Sequence, residues 1–198
     1  HLALLRCYAS SNTAVGSSSL KDNSTGTRNT SVGMECLKAN TTGSWNSAVG
    51  ANSLKANTTG SYNIGLGDQT LLSNTTGARN ISVGYNSINN CISGDDNISI
   101  GHGAGGSLTT GGGMIMIGSD AGAYGTQVTT GSNSILIGAM TQGGSAAPSQ
   151  MIAMGYAVTG SDSTFTFGFG SSDTRCSNGG TTWSAPSDQR LKEEITTS

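Results

Sequence analysis

A five-residue phrase, Asn12-Thr13-Ala14-Val15-Gly16, returns along this chain at a fixed interval. Its closing glycine recurs at Gly33, Gly50, Gly67, Gly84, Gly101 and Gly118, six steps of 17 residues without a slip, then at Gly138, Gly155 and Gly168 with looser spacing. A period of that length marks a repeat architecture, in which each unit leans on its neighbours to bury an apolar face.

Each copy reads as a short strand. The residue before the glycine is large and apolar throughout: Val15, Val32, Val49, Leu66, Val83, Ile100, Ile117, Ile137, Met154 and Phe167. The residue two before it is small in most copies, as at Ala14, Ser31, Ala48, Gly65, Ser82, Ser99 and Ala153. Successive side chains of a strand point to opposite faces, so bulk collects on one face and small groups on the other. The bulky face is expected to fill the core, with Val15, Val32, Val49, Leu66, Val83, Ile100 and Ile117 stacked in one buried column. Four residues past the glycine stand Leu20, Leu37, Leu54, Leu71 and Ile88, and ten past it a turn glycine, from Gly26 to Gly111. One unit thus offers two short extended segments and two glycine turns, which is one coil of a parallel β-solenoid. About ten coils at the usual spacing of ~4.8 Å give a rod of about 45 Å.

Asparagine opens six coils in succession, at Asn12, Asn29, Asn46, Asn63, Asn80 and Asn97. Stacked identical amides can donate and accept along the column as a side-chain ladder. The alternative is that asparagine is simply a good turn residue ahead of a strand. Turn chemistry alone would also accept Asp, Ser or Gly, and the column admits none of them before Met114.

Composition narrows the rest. Charged residues are 10% of the 198, aromatics 5%, and glycine accounts for 31, so a conventional core is out of reach. Such a chain would ordinarily be disordered, but disorder needs no aliphatic column every 17 residues. Collagen is excluded because glycine does not recur every third position. A thin solenoid is marginal alone, and lengthwise association of several chains is the natural remedy. A net charge of −2 offers no basic field for nucleic acid, and no apolar run reaches membrane-spanning length. Cys7, Cys36, Cys91 and Cys176 have neither CxxC spacing nor histidine partners, so neither a metal site nor a disulfide framework is expected. No cofactor is expected either.

The stretch His1 to Ser11 does not fit the repeat and reads as a cap or linker. The absence of a starting methionine is expected of a fragment or processed chain. Sequons at Asn23, Asn29, Asn40, Asn57, Asn74, Asn80 and Asn97 are glycosylation acceptors only in a eukaryotic secretory setting, since the repeat generates such triplets for turn reasons. From Gly101 onward the aliphatic after the glycine is lost (Gly105, Gly122), while the position three before it has become Ile64, Ile81, Ile98, Ile115, Ile135 and Ile152. The expectation is that core volume moves from one strand of the coil to the other. Residues 124–127 and 143–148 read as irregular surface loops, where receptor contacts usually sit. Phe165, Phe167 and Phe169 suit the uncovered end of a stack, or a ligand platform. Three-fold symmetry would turn His102 into a ring of imidazoles, although its column otherwise looks like variable surface.

The NTAVG, NTSVG, NSAVG series, joined by leucine and Asn-Thr-Thr-Gly over residues 12 to 170, resembles the head repeats of trimeric autotransporter adhesins. More closely it resembles the adhesin-head-like repeats of phage and large-virus tail fibres. That resemblance implies an all-β, left-handed parallel β-roll assembled as a homotrimer, located on a virion as an extracellular tail fibre that binds a host receptor of glycan or protein. Residues 171 to 186 would be a neck. From Ser187, the run Ser187-Asp188-Gln189-Arg190-Leu191-Lys192-Glu193-Glu194-Ile195, preceded by Trp183-Ser184-Ala185-Pro186, is similar to the start of the intramolecular chaperone domain of endosialidase-type tailspikes. There the chaperone trimerises the fibre and cuts itself off, which implies Ser187 as the cleavage residue and Lys192 as its base. The same run reads on its own as a capped helix start. A bacterial trimeric adhesin head is one alternative and a polysaccharide-degrading tailspike the other. Glycoside hydrolysis needs two carboxylates about 5 to 10 Å apart. Asp68 and Asp120 stand about three coils, ~14 Å, apart, and Asp95 and Asp96 are neighbours in a turn.

Overall fold

A computed structural model describes residues 11–170 and 172–177. Ten short strands follow the repeat: β1 (Thr13–Val15), β2 (Thr30–Val32), β3 (Ser47–Val49), β4 (Ile64–Leu66), β5 (Ile81–Val83), β6 (Ile98–Ile100), β7 (Ile115–Ile117), β8 (Ile135–Ile137), β9 (Ile152–Tyr156) and β10 (Thr164–Phe169). An eleventh, β11 (Ser172–Ser177), closes the series. There is no helix among the described residues. Strands β1 to β10 pair in sequence order, all parallel, and each repeat position pairs with its own copy: Val15 with Val32, Val32 with Val49, Ile81 with Ile98. The chain is a parallel β-solenoid of about nine turns.

The reversal after Phe169 ends the stack. Gly170, with φ of 61°, turns the chain back so that β11 runs antiparallel on β10, pairing Phe169 with Ser172 and Thr164 with Ser177.

Between strands, the leucine four past each glycine is fully buried: Leu20, Leu37, Leu54, Leu71 and Ile88. Each holds a left-handed backbone, with φ between 44° and 52°. That conformation costs an ordinary residue about 1–2 kcal/mol, and burial of a leucine side chain is worth about 1.5–3 kcal/mol, so the column can carry its own strain. Where the leucine is lost, the position becomes Gly105 and Gly122, for which φ of 62° and 73° carries no steric cost.

The strand faces are the reverse of the sequence expectation. Val15, Val49, Leu66 and Ile100 are 40 to 49% exposed, and Val32, Val83 and Ile117 are half-buried. The column that faces in is the small one: Ser31, Ala48, Gly65, Ser82 and Ser99, all buried, with Ala14 packed on the core. The interior explains it. The leucine column and the hydroxyls of Ser19, Ser53, Thr70 and Ser87 already fill the coil. A Cβ on Gly65 would lie 2.5 Å from Ser53 Oγ and 2.9 Å from Thr70 Oγ1. Only small side chains fit inside, so the large ones turn out.

The transfer of core volume is also corrected. Ile64 is 36% exposed and Ile81, Ile98, Ile115, Ile135 and Ile152 are half-buried, all on the outer face, so they do not replace the missing leucines. The replacements are Leu108, Met114, Met116, Val128, Leu136 and Met151, which are fully buried. Met116 takes the space directly: its Cε would be 2.6 Å from a Cβ on Gly105. The phenylalanines likewise face outward rather than cap the stack, Phe169 being 70% exposed.

Candidate functional site

Two asparagine columns hold the first coils together. In the expected one, each Oδ1 accepts the backbone N–H of the asparagine one coil on: Asn29 N to Asn12 (2.8 Å), Asn46 N to Asn29 (2.9 Å), Asn63 N to Asn46 (2.9 Å), Asn80 N to Asn63 (3.0 Å) and Asn97 N to Asn80 (3.0 Å). Each Nδ2 donates to the carbonyl of the turn glycine, as Asn46 does to Gly60 at 2.9 Å. The column therefore ties side chain to backbone. Amide-to-amide contact joins it at one step, Asn97 Nδ2 to Asn80 Oδ1.

A true amide ladder stands elsewhere, at the asparagine of Asn-Thr-Thr. Asn40, Asn57 and Asn74 each donate Nδ2 to the Oδ1 of the asparagine one coil back, Asn23, Asn40 and Asn57, at 2.7, 2.7 and 2.9 Å. The same Nδ2 also reaches the glycine carbonyl three residues on. The signal for it is in the sequence, since these asparagines keep the same 17-residue step, but Asn-Thr-Thr-Gly is also sufficient as a local turn. Asn29, Asn40, Asn57, Asn74, Asn80 and Asn97 are at most 1% exposed, so a glycan on any of those six sequons is incompatible with the folded coil. The ladder ends at Cys91, whose burial, like that of Cys36, pushes the thiol pKa up. Both are small filler with no reactive thiolate.

The outer strand face is left uncovered by the described residues. Two aliphatic columns run its length, one from Val15 to Phe167 and the other from Ile64 to Phe165, with Thr13, Thr30 and Ser47 at its beginning. Neither carries a charge among the described residues. Parallel sheets are normally covered on both faces, and an apolar strip of this length is unusual on a lone chain.

A polar and aromatic column borders each side of that face. Ahead of the strands stand Arg28, Trp45, Tyr62, Arg79 and Asp96, all exposed and all with positive φ. The Arg28 guanidinium lies 4.2 Å over Trp45, the Trp45 and Tyr62 rings are near-parallel with centroids 6.0 Å apart, and Arg79 grips Asp96 through Nε (2.6 Å) and Nη2 (2.9 Å). That grip lowers the Asp96 pKa. Behind the strands, Tyr85 stacks on His102 and Tyr156 on Phe169. His102 Nδ1 is 3.9 Å from Asp120.

Elsewhere an open groove of about 640 Å³ runs across successive coils, floored by Ala39, Ala56, Leu72 and Ile92 and edged by Lys38 and Lys55. Both lysines bind Glu35, at 2.6 and 2.7 Å. Their hydrogen bonds hold the Glu35 pKa down to about 2. Residues 124–127 and 144–147 are exposed, while Gly143 and Pro148, the ends of the second expected loop, are buried.

Asp95 and Asp96 are both engaged by Arg79, and among the described residues no group of three His, Cys, Asp or Glu is placed to hold a metal ion. No helix among them is long and apolar enough to cross a membrane. Ser187 and Lys192, with residues 1–10 and most of the expected neck, lie outside the described residues. Comparison with protein-family models, curated proteins and solved structures found no match.

Proposed function

We infer that the chain is a structural and adhesive segment of a trimeric viral tail fibre that attaches to a host receptor. The observation that carries this reading is the uncharged aliphatic face running the length of the solenoid on its outside. Hydrophobic burial at about 25 cal/mol per Å² favours covering it, and no element among the described residues lies over it. Identical copies meeting about an axis parallel to the rod bring like residues together at each height, which uncharged columns tolerate and charged ones would not. Three copies wound as left-handed β-rolls are what the adhesin-head resemblance implies. Groups that face away, among them the Lys38 and Lys55 groove and the loop at 124–127, are left for the receptor.

Light scattering on the purified chain at micromolar concentration should give three times the chain mass, and labelled trimer should bind host cells or a glycan array. A monomer would remove the reading; a trimer that degrades polysaccharide would move it to the tailspike alternative. A bacterial surface adhesin head shares the same architecture, and the cell type bound separates the two. For the C-terminal resemblance, a longer chain carrying the chaperone should cut itself next to Ser187. Ser187→Ala or Lys192→Ala should leave it joined while the trimer still forms.

A further inference from the structure

We propose that neighbouring copies are locked edge to edge. The column ahead of the strands in one copy (Trp45, Tyr62, Arg79, Asp96) packs level by level against the column behind the strands in the next (Ala51, Asp68, Tyr85, His102). This rests on the trimeric reading above and names the surface and the partner residues it uses.

The argument starts from symmetry. A rotation axis parallel to the rod keeps every strand of one copy at the same height as the same strand of the next. The strands run across that axis, so around a closed ring the start of one outer face meets the end of the next, a heterologous contact that closes. The residues brought together are therefore those that flank the same strand on its two sides, six apart in sequence.

Those pairs match at β3 to β6 and again at β10. At β3 the large Trp45 meets the small Ala51, and at β10 the small Ser163 meets Phe169, which is 70% exposed. At β4 the exposed Tyr62 phenol, a hydrogen-bond donor, meets the half-buried Asp68 carboxylate. At β5 the Arg79 guanidinium meets the Tyr85 ring, a cation–π pairing. At β6 the Asp96 carboxylate meets the His102 imidazole. The last two levels join into one cluster, because Arg79 already grips Asp96 within a chain and Tyr85 already stacks on His102 at 5.5 Å. Within one chain the strand lies between the two members of each pair, and its three extended residues alone hold them about 10 Å or more apart.

Disulfide capture tests this on the full chain with Cys7 and Cys176 changed to Ser. Asp96→Cys combined with His102→Cys should give covalent trimers on a denaturing gel after mild oxidation, while either change alone leaves single chains. An intrachain bond is ruled out, since a disulfide needs Cα atoms within about 7 Å. Asp96→Lys should weaken assembly at least tenfold by dilution light scattering, and adding His102→Asp in the same chain should restore it; a purely internal role for Asp96 would not be rescued from so far away. A trimer by light scattering without cross-linking or rescue overturns the edge pairing and leaves the trimeric reading standing. A covalent dimer as end product, or a chain that stays monomeric, overturns both.

Discussion

Asn57 shows how much one buried side chain does in this fold. Its Nδ2 serves Asn40 Oδ1 and Gly60 O, and its Oδ1 accepts from Asn74, so one residue fixes three coils. Replacing it by leucine leaves buried partners unpaired on both sides, and each such loss costs about 1–3 kcal/mol. We expect Asn57→Leu to lower unfolding stability by about 3 kcal/mol in urea titrations. Asn74→Leu should cost less, because the next position is Cys91 and the Asn74 Oδ1 has no partner to lose. The chain itself makes this change further on, at Leu108 and Val128. Glu35 gives a pH signature of the opposite kind. Its folded pKa of about 2 lies below the ordinary carboxylate value, so its contribution is complete above about pH 4.5 and fades as pH falls toward 2. Glu35→Gln should flatten the acid arm of the melting-temperature profile by lowering the neutral plateau slightly while leaving the end near pH 2 unchanged, the effect being small because the groups are exposed.

At the level of the strand, three residues carry the whole distinction between inside and outside. In β4, Gly65 faces a filled interior and Leu66 faces out. Gly65→Val should therefore destabilise the isolated chain by about 1–3 kcal/mol through overpacking. Leu54→Ala should cost about 2–5 kcal/mol by opening a cavity in the leucine column. Val49→Ala should barely change the isolated chain, being 42% exposed, and act on assembly instead. Thermal unfolding of these three variants, at concentrations where the chain is and is not assembled, separates the two faces. Equal effects of Val49→Ala and Leu54→Ala on the unassembled chain would contradict the orientation described.

Across the whole molecule, stability is a sum over neighbouring coils, so an error in phase travels further than a lost contact. Deleting Ser53 shifts every residue between it and the next strand out of its column and exchanges inward for outward positions. Deleting Ser145, in the exposed loop, leaves all strand registers intact. Circular dichroism and melting should find the first variant unfolded or nearly so and the second close to the parent.

The sequence by itself determined the period, the parallel stacking of like on like, the buried leucine column, and the asparagine column from Asn12 to Asn97. These follow from repetition, since a residue recurring every 17 positions in a stacked coil must stand on its own copy. The second ladder was equally legible, and was missed because Asn-Thr-Thr has a sufficient local explanation as a turn. What only the tertiary structure decided is which face of the strand looks inward. Alternation defines two faces without labelling them. The label depends on how much volume the rest of the coil has already placed inside, and Leu54, Ser53 and Thr70 leave beside Gly65 no room for a valine. The large aliphatics consequently lie on the outside.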